Sequence, residues 1–326
     1  MPPKPLTIWT NYHFPPAAEK LFLSGIGPHQ VVRSSNMQAS NLHAGAADPA
    51  MAHADILLGQ PDPAAVIACP NVKWVHLTSA GYDRYDRPDL REALKSRGGI
   101  ITNSSGVYEE PCAEHVIAMM LSLARQLPQS LEMQRADRSW PSAERRIPSF
   151  LLTGQTAVIL SYGTIARRVI ELLAPFRMKT YAVRREVRGD EVVETVSEKD
   201  AAKVLPLADH VINILPGGEA TRQFMNAAYF SAMKPGAIFF NIGRGGTVDQ
   251  EAMLAALNSG RLRYAYLDVT DPEPLPPEHP LWKHPNCFIT PHTAGGSFDE
   301  FERLARHFID NLRCYEEGKK LVNQVI

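Results

Sequence analysis

Short β-branched and aromatic runs alternate with helical patterns along almost the whole chain, and this alternation restricts the fold more than any other feature. Strand candidates begin with LTIWTNY at residues 6–12 and continue through HQVVRS, ADILLG, VKWVHLT and GIITNS. A longer helical stretch, CAEHVIAMMLSLARQL, occupies residues 112–127. Beyond it come TAVILS, MKTYAVR, ADHVINILP, GAIFFNIG, YAYLDV and CFITPH, with helical spacing between them. Strand followed by crossover helix, repeated, predicts an α/β protein with doubly wound parallel sheets. A chain of 326 residues is long for one core, so two such sheets are expected.

Composition narrows the partners. The chain is 44% apolar and 21% charged with a formal net charge of −1, so no basic or acidic excess points to nucleic acid or an anionic membrane surface. Cys69, Cys112, Cys287 and Cys314 are scattered without a C-x-x-C pair, which predicts reduced thiols rather than a metal site. The N-terminal MPPKPLTIWTNYHFPP alternates like a strand, and no apolar run reaches the ~18 residues of a membrane span. A soluble cytoplasmic protein is expected.

The stretch VILSYGTIARRV contains an altered dinucleotide turn. In the usual turn one glycine permits the bend after the strand, a second lets backbone approach a pyrophosphate, and a third lets helix and strand pack closely. Here the six positions are Ser161, Tyr162, Gly163, Thr164, Ile165 and Ala166. The middle glycine is present and alanine is an accepted third residue, so Ser161 is the departure. It either closes the bend with a small shift or adds a hydroxyl donor to a phosphate oxygen. A strand–turn–helix of this kind offers free N–H groups and a positive dipole end to an anion. The next strand candidate ends at Arg184, 21 positions beyond Gly163, and Arg185 follows. An acidic residue there would favour NAD; arginine would instead clamp a 2′-phosphate with charge-assisted bonds of roughly 1.5–3 kcal/mol each. As a cofactor turn, it reads as one for NADP(H), with NAD(H) as the lesser partner.

Three further strand ends carry candidate chemistry. Arg244 follows an apolar strand in a glycine-rich turn, NIGRGGTVD. Asp268 ends another strand, and Glu273 follows it in the proline-rich DPEPLPPEHP of residues 271–280. His292 closes a third, in NCFITPHTAGG. Taken singly, each has a bland reading: a surface arginine, a solvated glutamate, a packed histidine. For the proline-rich segment, composition favours a solvated connector over a stiff loop that aims Glu273. As a set they lie where ligands bind in open parallel sheets, at strand carboxyl ends.

Together with SAGYD at residues 79–83, the helix CAEHVIAMMLSLAR, the pair Leu215–Pro216, MKPGAIFFNIGRGGTVD, LDVTDPEPLPPEHPLW and TPHTAGG, these blocks make the chain resemble the D-isomer-specific 2-hydroxyacid dehydrogenase family over nearly its whole length. The resemblance implies a Rossmann cofactor domain at residues 103–294 inserted into a flavodoxin-like substrate domain at residues 1–102 and 295–326. It implies that Arg244 grips the substrate carboxylate and keto oxygen, that His292 is the acid/base, and that Glu273 pairs with the imidazole. Backbone N–H groups of Ser79, Ala80 and Gly81 would assist with the carboxylate. Asp268 would hold the nicotinamide carboxamide. Leu215, Pro216, Thr221, Ile242, Gly243 and Gly295 would join residues 161–165, Arg184 and Arg185 around the cofactor. No metal is required: an imidazolium supplies a proton, a neighbouring carboxylate favours its charged form, and a guanidinium clamps a planar carboxylate.

The paired arginines point, within that family, to NADPH-dependent reduction of glyoxylate or hydroxypyruvate. Tyr82, Tyr108 and Trp282 are candidates for the pocket wall. A homodimer is implied, with residues 126–148, including Trp140, as the arm that reaches the partner. Two alternatives stand beside this one. The first is a cofactor-sensing, corepressor-like binding protein, for which Ser161 is the local argument. The second is a dehydrogenase of another 2-hydroxy acid such as phosphoglycerate.

Overall fold

A computed structural model describes residues 4–38 and 45–326; the first three residues of the N-terminal stretch lie outside them. The chain divides into two compact units, Met1–Tyr108 with Ser297–Ile326, and Glu109–Gly296. Both are α/β, and every strand pair in both sheets is parallel.

The first unit contains strands β1 (Thr7–Tyr12), β2 (Gln30–Gln38), β3 (Ile56–Gly59), β4 (Trp74–Leu77) and β5 (Ile100–Thr102), in the order β2-β1-β3-β4-β5. This is the flavodoxin-like winding, whose order reverses between β1 and β3. One core cluster gathers Trp9, Leu57, Val75, Leu77, Tyr85, Leu90, Leu94 and Ile101. An aromatic stack lies around Trp74: Phe308 is stacked on it at 5.2 Å and Tyr315 at 5.4 Å, while Phe22 meets Phe308 at 5.7 Å. Phe308 and Tyr315 belong to the helix Glu300–Glu316, whose buried residues Leu304, Phe308 and Leu312 recur at helical spacing. The last residues pair with β5: Ile101 N–H donates to the Ile326 carbonyl, the Ile101 carbonyl accepts from Val325 N–H, and Thr102 bridges Gln324 antiparallel. The tail thereby covers a sheet edge that would otherwise present unpaired groups.

The second unit contains β6 (Thr156–Leu160), β7 (Lys179–Arg184), β8 (Glu194–Ser197), β9 (His210–Asn213), β10 (Ala237–Asn241), β11 (Leu262–Leu267) and β12 (Cys287–Ile289). Their order, β12-β11-β10-β9-β6-β7-β8, is the Rossmann order extended by one strand, reversing between β6 and β9. All five residues of β10 and all four of β9 are buried, as expected of strands covered on both faces.

Two local expectations change. The long helix runs from Ser105 to Ala124 rather than over 112–127, with Pro111 inside it. Asn103 Oδ1 accepts from the N–H and hydroxyl of Ser105 and so opens the helix earlier. Pro111 has no N–H for the carbonyl of Val107, and Arg303 donates to that carbonyl instead. The helix stops early because Gln126 takes a left-handed conformation, φ +58°, just before Pro128. The other change is β8, four partly exposed residues (ETVS) that apolar patterning does not reveal.

Phe308→Ala removes a fully buried ring from the Trp74 stack and is expected to cost about 3–5 kcal/mol in urea unfolding. Phe298→Ala, at a fully exposed ring, is expected to stay within ~0.5 kcal/mol of the parent.

Candidate functional site

In the second unit the strands end in polar residues along one edge of the sheet. β9 and β10 close on Asn213 and Asn241, which are in register. Asn213 Nδ2 donates to Asn241 Oδ1 at 3.0 Å and to Thr247 Oγ1 at 2.7 Å, while Asn241 Oδ1 also accepts from Gly243 N–H. Close backbone approach explains the glycines around Arg244. A Cβ on Gly243 would lie 2.6 Å from the Leu215 carbonyl oxygen, and one on Gly245 would lie 1.9 Å from that of Thr270. The turn carrying Arg244 is thus pressed between the loops after β9 and β11. Arg244 is half-buried, and its Nη1 donates to the Gly243 carbonyl at 2.7 Å. Thr221, buried nearby in sequence, donates to the carbonyl of Pro216 at 2.7 Å.

Asp268, directly after β11, is 3% exposed. Its Oδ1 accepts from Thr290 Oγ1 at 2.6 Å and Thr293 N–H at 2.8 Å, and its Oδ2 accepts from Ala294 N–H at 3.0 Å. The carboxylate therefore fixes the loop that bears His292 on both sides of the histidine. His292 itself sits at φ +51°, with its N–H donating to the carbonyls of Asp268 and Thr290. A histidine held in the left-handed region is uncommon and carries a strain of order 1–3 kcal/mol that the surrounding bonds must sustain. The imidazole is 26% exposed and its Nδ1 bonds Glu273 Oε1. With a carboxylate on Nδ1, that nitrogen is the donor and Nε2 is the position that exchanges a proton.

The proline-rich segment is largely solvent-exposed, as its composition suggests, yet it is anchored in the core and carries Glu273 to His292. Leu275 and Leu281 are buried in the core, and Trp282 Nε1 donates to the Pro276 carbonyl at 3.1 Å. Trp282, a candidate for the pocket wall, ties this loop together.

The altered turn follows β6. Ser161 closes the bend itself, at φ +136°, and its Oγ accepts from Gly163 N–H at 3.2 Å. Gly163 is exposed, with no side-chain cap on the helix Thr164–Leu173 that follows, and only Ser161 Oγ approaches where its Cβ would be. Tyr162 is buried, its hydroxyl accepts from Val192 N–H at 2.7 Å, and Arg167 and Arg184 lie over its ring at 4.9 and 5.4 Å. Arg184, 14% exposed, bonds Asp190 at 3.0 Å and Glu191 at 2.5 Å. The N–H groups of Arg188 and Gly189, together with Arg184, hold the Glu191 carboxyl down at about 2. Arg185 is exposed. An uncapped helix start, an exposed glycine and arginines at the next strand end fit a dinucleotide. Among the described residues, no group of three His, Cys, Asp or Glu stands in an arrangement that could hold a metal ion.

In the first unit, each backbone carbonyl of the loop after β4, from Thr78 to Gly81, accepts a hydrogen bond. Thr78 accepts from Tyr108 Oη at 2.9 Å, Ser79 from Ser104 N–H at 2.9 Å, Ala80 from Asn103 Nδ2 at 2.6 Å and Gly81 from Ser79 Oγ at 2.6 Å. With the carbonyls spent, the N–H groups of Ser79, Ala80 and Gly81 donate to no other described residue, which leaves donors for an anion. Gln60, at the β1/β3 switch point, supports the loop through Thr78 Oγ1 and Ser79 Oγ. Tyr108, the second wall candidate, thus anchors this loop.

Sequence reading did not single out Asn213, Asn241, Thr290, Gln60, His115 or Tyr266. A polar residue closing an apolar strand was a usable signal for the two asparagines. A lone histidine in an apolar helix gave none for His115.

Comparison with known proteins agrees with this fold. Residues 117–294 match the NAD binding domain of the D-isomer specific 2-hydroxyacid dehydrogenases. An uncharacterized protein from Corynebacterium melassecola is 35% identical over 264 residues, 78% of this chain and 82% of that protein. Glyoxylate/hydroxypyruvate reductase B from Citrobacter koseri is 32% identical over 278 residues, 83% of this chain and 84% of that one. The NADPH-dependent glyoxylate/hydroxypyruvate reductase from Sinorhizobium meliloti, solved with NADP and malonate, superposes with a TM-score of 0.75 at 25% identity, covering 99% of this chain and 97% of its own. Sheet order, strand-end residues and sequence identity lead to one conclusion: the chain belongs to the D-isomer-specific 2-hydroxyacid dehydrogenase family.

Proposed function

We propose that this protein is an NADPH-dependent reductase of a small 2-keto acid, of the glyoxylate or hydroxypyruvate type, producing the D-2-hydroxy acid. The observation that carries the proposal is the Glu273–His292 pair, with Nδ1 committed to the carboxylate and the loop fixed by Asp268. When bound, the nicotinamide cofactor supplies the hydride. His292 Nε2 gives the proton to the keto oxygen, and Glu273 stabilises the imidazolium and fixes its ring. Arg244 clamps the carboxylate and polarises the carbonyl. The amides of Ser79, Ala80 and Gly81 supply further donors for the carboxylate. Asp268, with three of roughly four acceptor positions used by the His292 loop, retains one for a carboxamide N–H.

Residues 161–165 with Leu215, Pro216, Thr221, Ile242, Gly243 and Gly295 form the remaining cofactor contacts. Arg184 and Arg185 take the 2′-phosphate. In this reading the phosphate replaces the exposed Asp190 on Arg184, while the buried Glu191 keeps that guanidinium oriented. Ser161 is the local argument for a sensing protein without turnover; the bend that it closes at φ +136° and the Glu273–His292 pair are what favour the reductase over that alternative here.

We infer further that the protein works as a homodimer in the cytoplasm, without a nucleic-acid or membrane partner. No helix among the described residues is long and apolar enough to cross a membrane. Leu127, Leu131, Trp140 and Ile147 are 48%, 51%, 93% and 82% exposed within residues 126–148, a concentration of exposed apolar side chains of the kind that supports an interface. A second copy of the chain is the occupant this reading assigns to it.

His292→Ala is expected to lower turnover of glyoxylate or hydroxypyruvate by about 10²–10⁴-fold while NADPH binding, followed by nucleotide fluorescence, changes little. An unchanged rate would sink the assignment. Arg184→Asp is expected to move the ratio of kcat/KM for NADPH over NADH toward NADH by roughly one to two decades; an unmoved ratio refutes the phosphate clamp. Trp140→Glu combined with Ile147→Glu is expected to convert dimer to monomer in light scattering, and a wild-type monomer would overturn the dimer.

A further inference from the structure

A buried hydrogen-bond chain runs from the helix Ser105–Ala124 to Asp268. His115 Nε2 lies 2.8 Å from Tyr266 Oη, Tyr266 Oη lies 2.5 Å from Thr290 Oγ1, and Thr290 Oγ1 lies 2.6 Å from Asp268 Oδ1. His115 Nε2 also comes within 3.4 Å of Thr290 Oγ1 and 3.9 Å of Asp268 Oδ1. Tyr266 is 1% exposed, Asp268 3%, and the His115 side chain 20%. All four residues belong to the second unit.

Proton counting gives this chain one direction. The Asp268 carboxylate already accepts two backbone N–H groups, so at 2.6 Å it must also accept, and the Thr290 hydroxyl must donate to it. Thr290 has then used its only proton, so the 2.5 Å contact is filled by the Tyr266 hydroxyl. Tyr266 has used its proton in turn, and only a proton on His115 Nε2 can fill the 2.8 Å contact. The opposite tautomer would set two acceptors against each other somewhere along the line, at the cost of a buried unsatisfied polar contact.

We propose that His115 is a positioning residue for the acid/base loop: its Nε2–H terminates a one-way chain through Tyr266 and Thr290 that holds Asp268 as the acceptor for Thr293 and Ala294, and so holds His292 in its left-handed conformation. The proposal rests on the reading of His292 as the proton donor. Burial lowers the pKa of His115, which agrees with a neutral ring carrying a single proton. His115 itself touches none of the reacting groups, and its effect passes through Asp268.

Gln and Glu have nearly the same shape, and the terminal nitrogen of Gln stands close to where Nε2 of histidine stands. His115→Gln keeps a donor toward Tyr266; His115→Glu puts an acceptor there and reverses the chain. The variants are compared in the full-length protein for kcat with NADPH and hydroxypyruvate, for NADPH dissociation constant and for Tm. His115→Glu is expected to lower kcat by about 10–100-fold, the usual scale for losing an outer-shell partner, with NADPH affinity little changed. His115→Gln is expected to restore most of kcat. Equal kcat in the two variants, or losses that follow Tm alone, overturn the proposal.

A second measurement needs no variant and no substrate. Long-range ¹H–¹⁵N correlation spectra of ¹⁵N-histidine-labelled protein at neutral pH are expected to give His115 as the Nε2–H tautomer, and the Nδ1–H tautomer overturns the proposal. Because it is independent of turnover, it separates a failure of the chain from a failure of the reductase assignment.

Discussion

All seven strands of the larger sheet run parallel, and this constraint organises everything attached to them. Parallel strands joined by crossover helices put every carboxyl end on one edge. Ser161, Arg184, Asn213, Asn241, Asp268 and Thr290 all fall at or just after strand ends, so they share that edge whatever their separation in sequence. The chain needs only to end each apolar strand with a residue of the right chemistry. The glycines then let successive loops approach closely, Gly243 against Leu215 and Gly245 against Thr270.

Asp268 converts this placement into geometry. A buried carboxylate is costly unless its oxygens are satisfied, and here three donors from residues 290–294 satisfy it. The same bonds oblige the histidine loop to wrap around the end of β11. His292 is thereby held in an uncommon conformation, and the proline-rich segment brings Glu273 to its Nδ1. Strain, buried charge and acid/base pair are therefore parts of one arrangement. The loop of Ser79–Gly81 follows a related logic with neutral groups: its carbonyls are consumed internally, and its amides are left as donors.

Much of this was legible in the sequence because strand ends are. Apolar runs closing on Arg184, Asp268 or shortly before His292 mark both the element and its functional end. What was not legible has physical causes. β8 is polar and partly exposed, so periodicity misses it. The helix begins before Pro111, and only tertiary contact shows that Arg303 satisfies the carbonyl that the proline leaves open. The engagement of Arg184 by Asp190 and Glu191 depends on how the loop after β7 folds back, which no spacing rule predicts. His115 and Tyr266 are 151 residues apart, and nothing local to either hints at the other. Composition favours a solvated connector for the proline-rich segment, and most of it is exposed; that it also holds Glu273 against His292 depends on the burial of Leu275 and on a long-range hydrogen bond that composition does not reveal.

The most direct test of the central claim is to mix the purified protein with glyoxylate, hydroxypyruvate or pyruvate and follow oxidation of NADPH and NADH in parallel. The account predicts turnover with glyoxylate or hydroxypyruvate, faster with NADPH than with NADH. Clear NADPH binding without turnover of any of the three acids would contradict it.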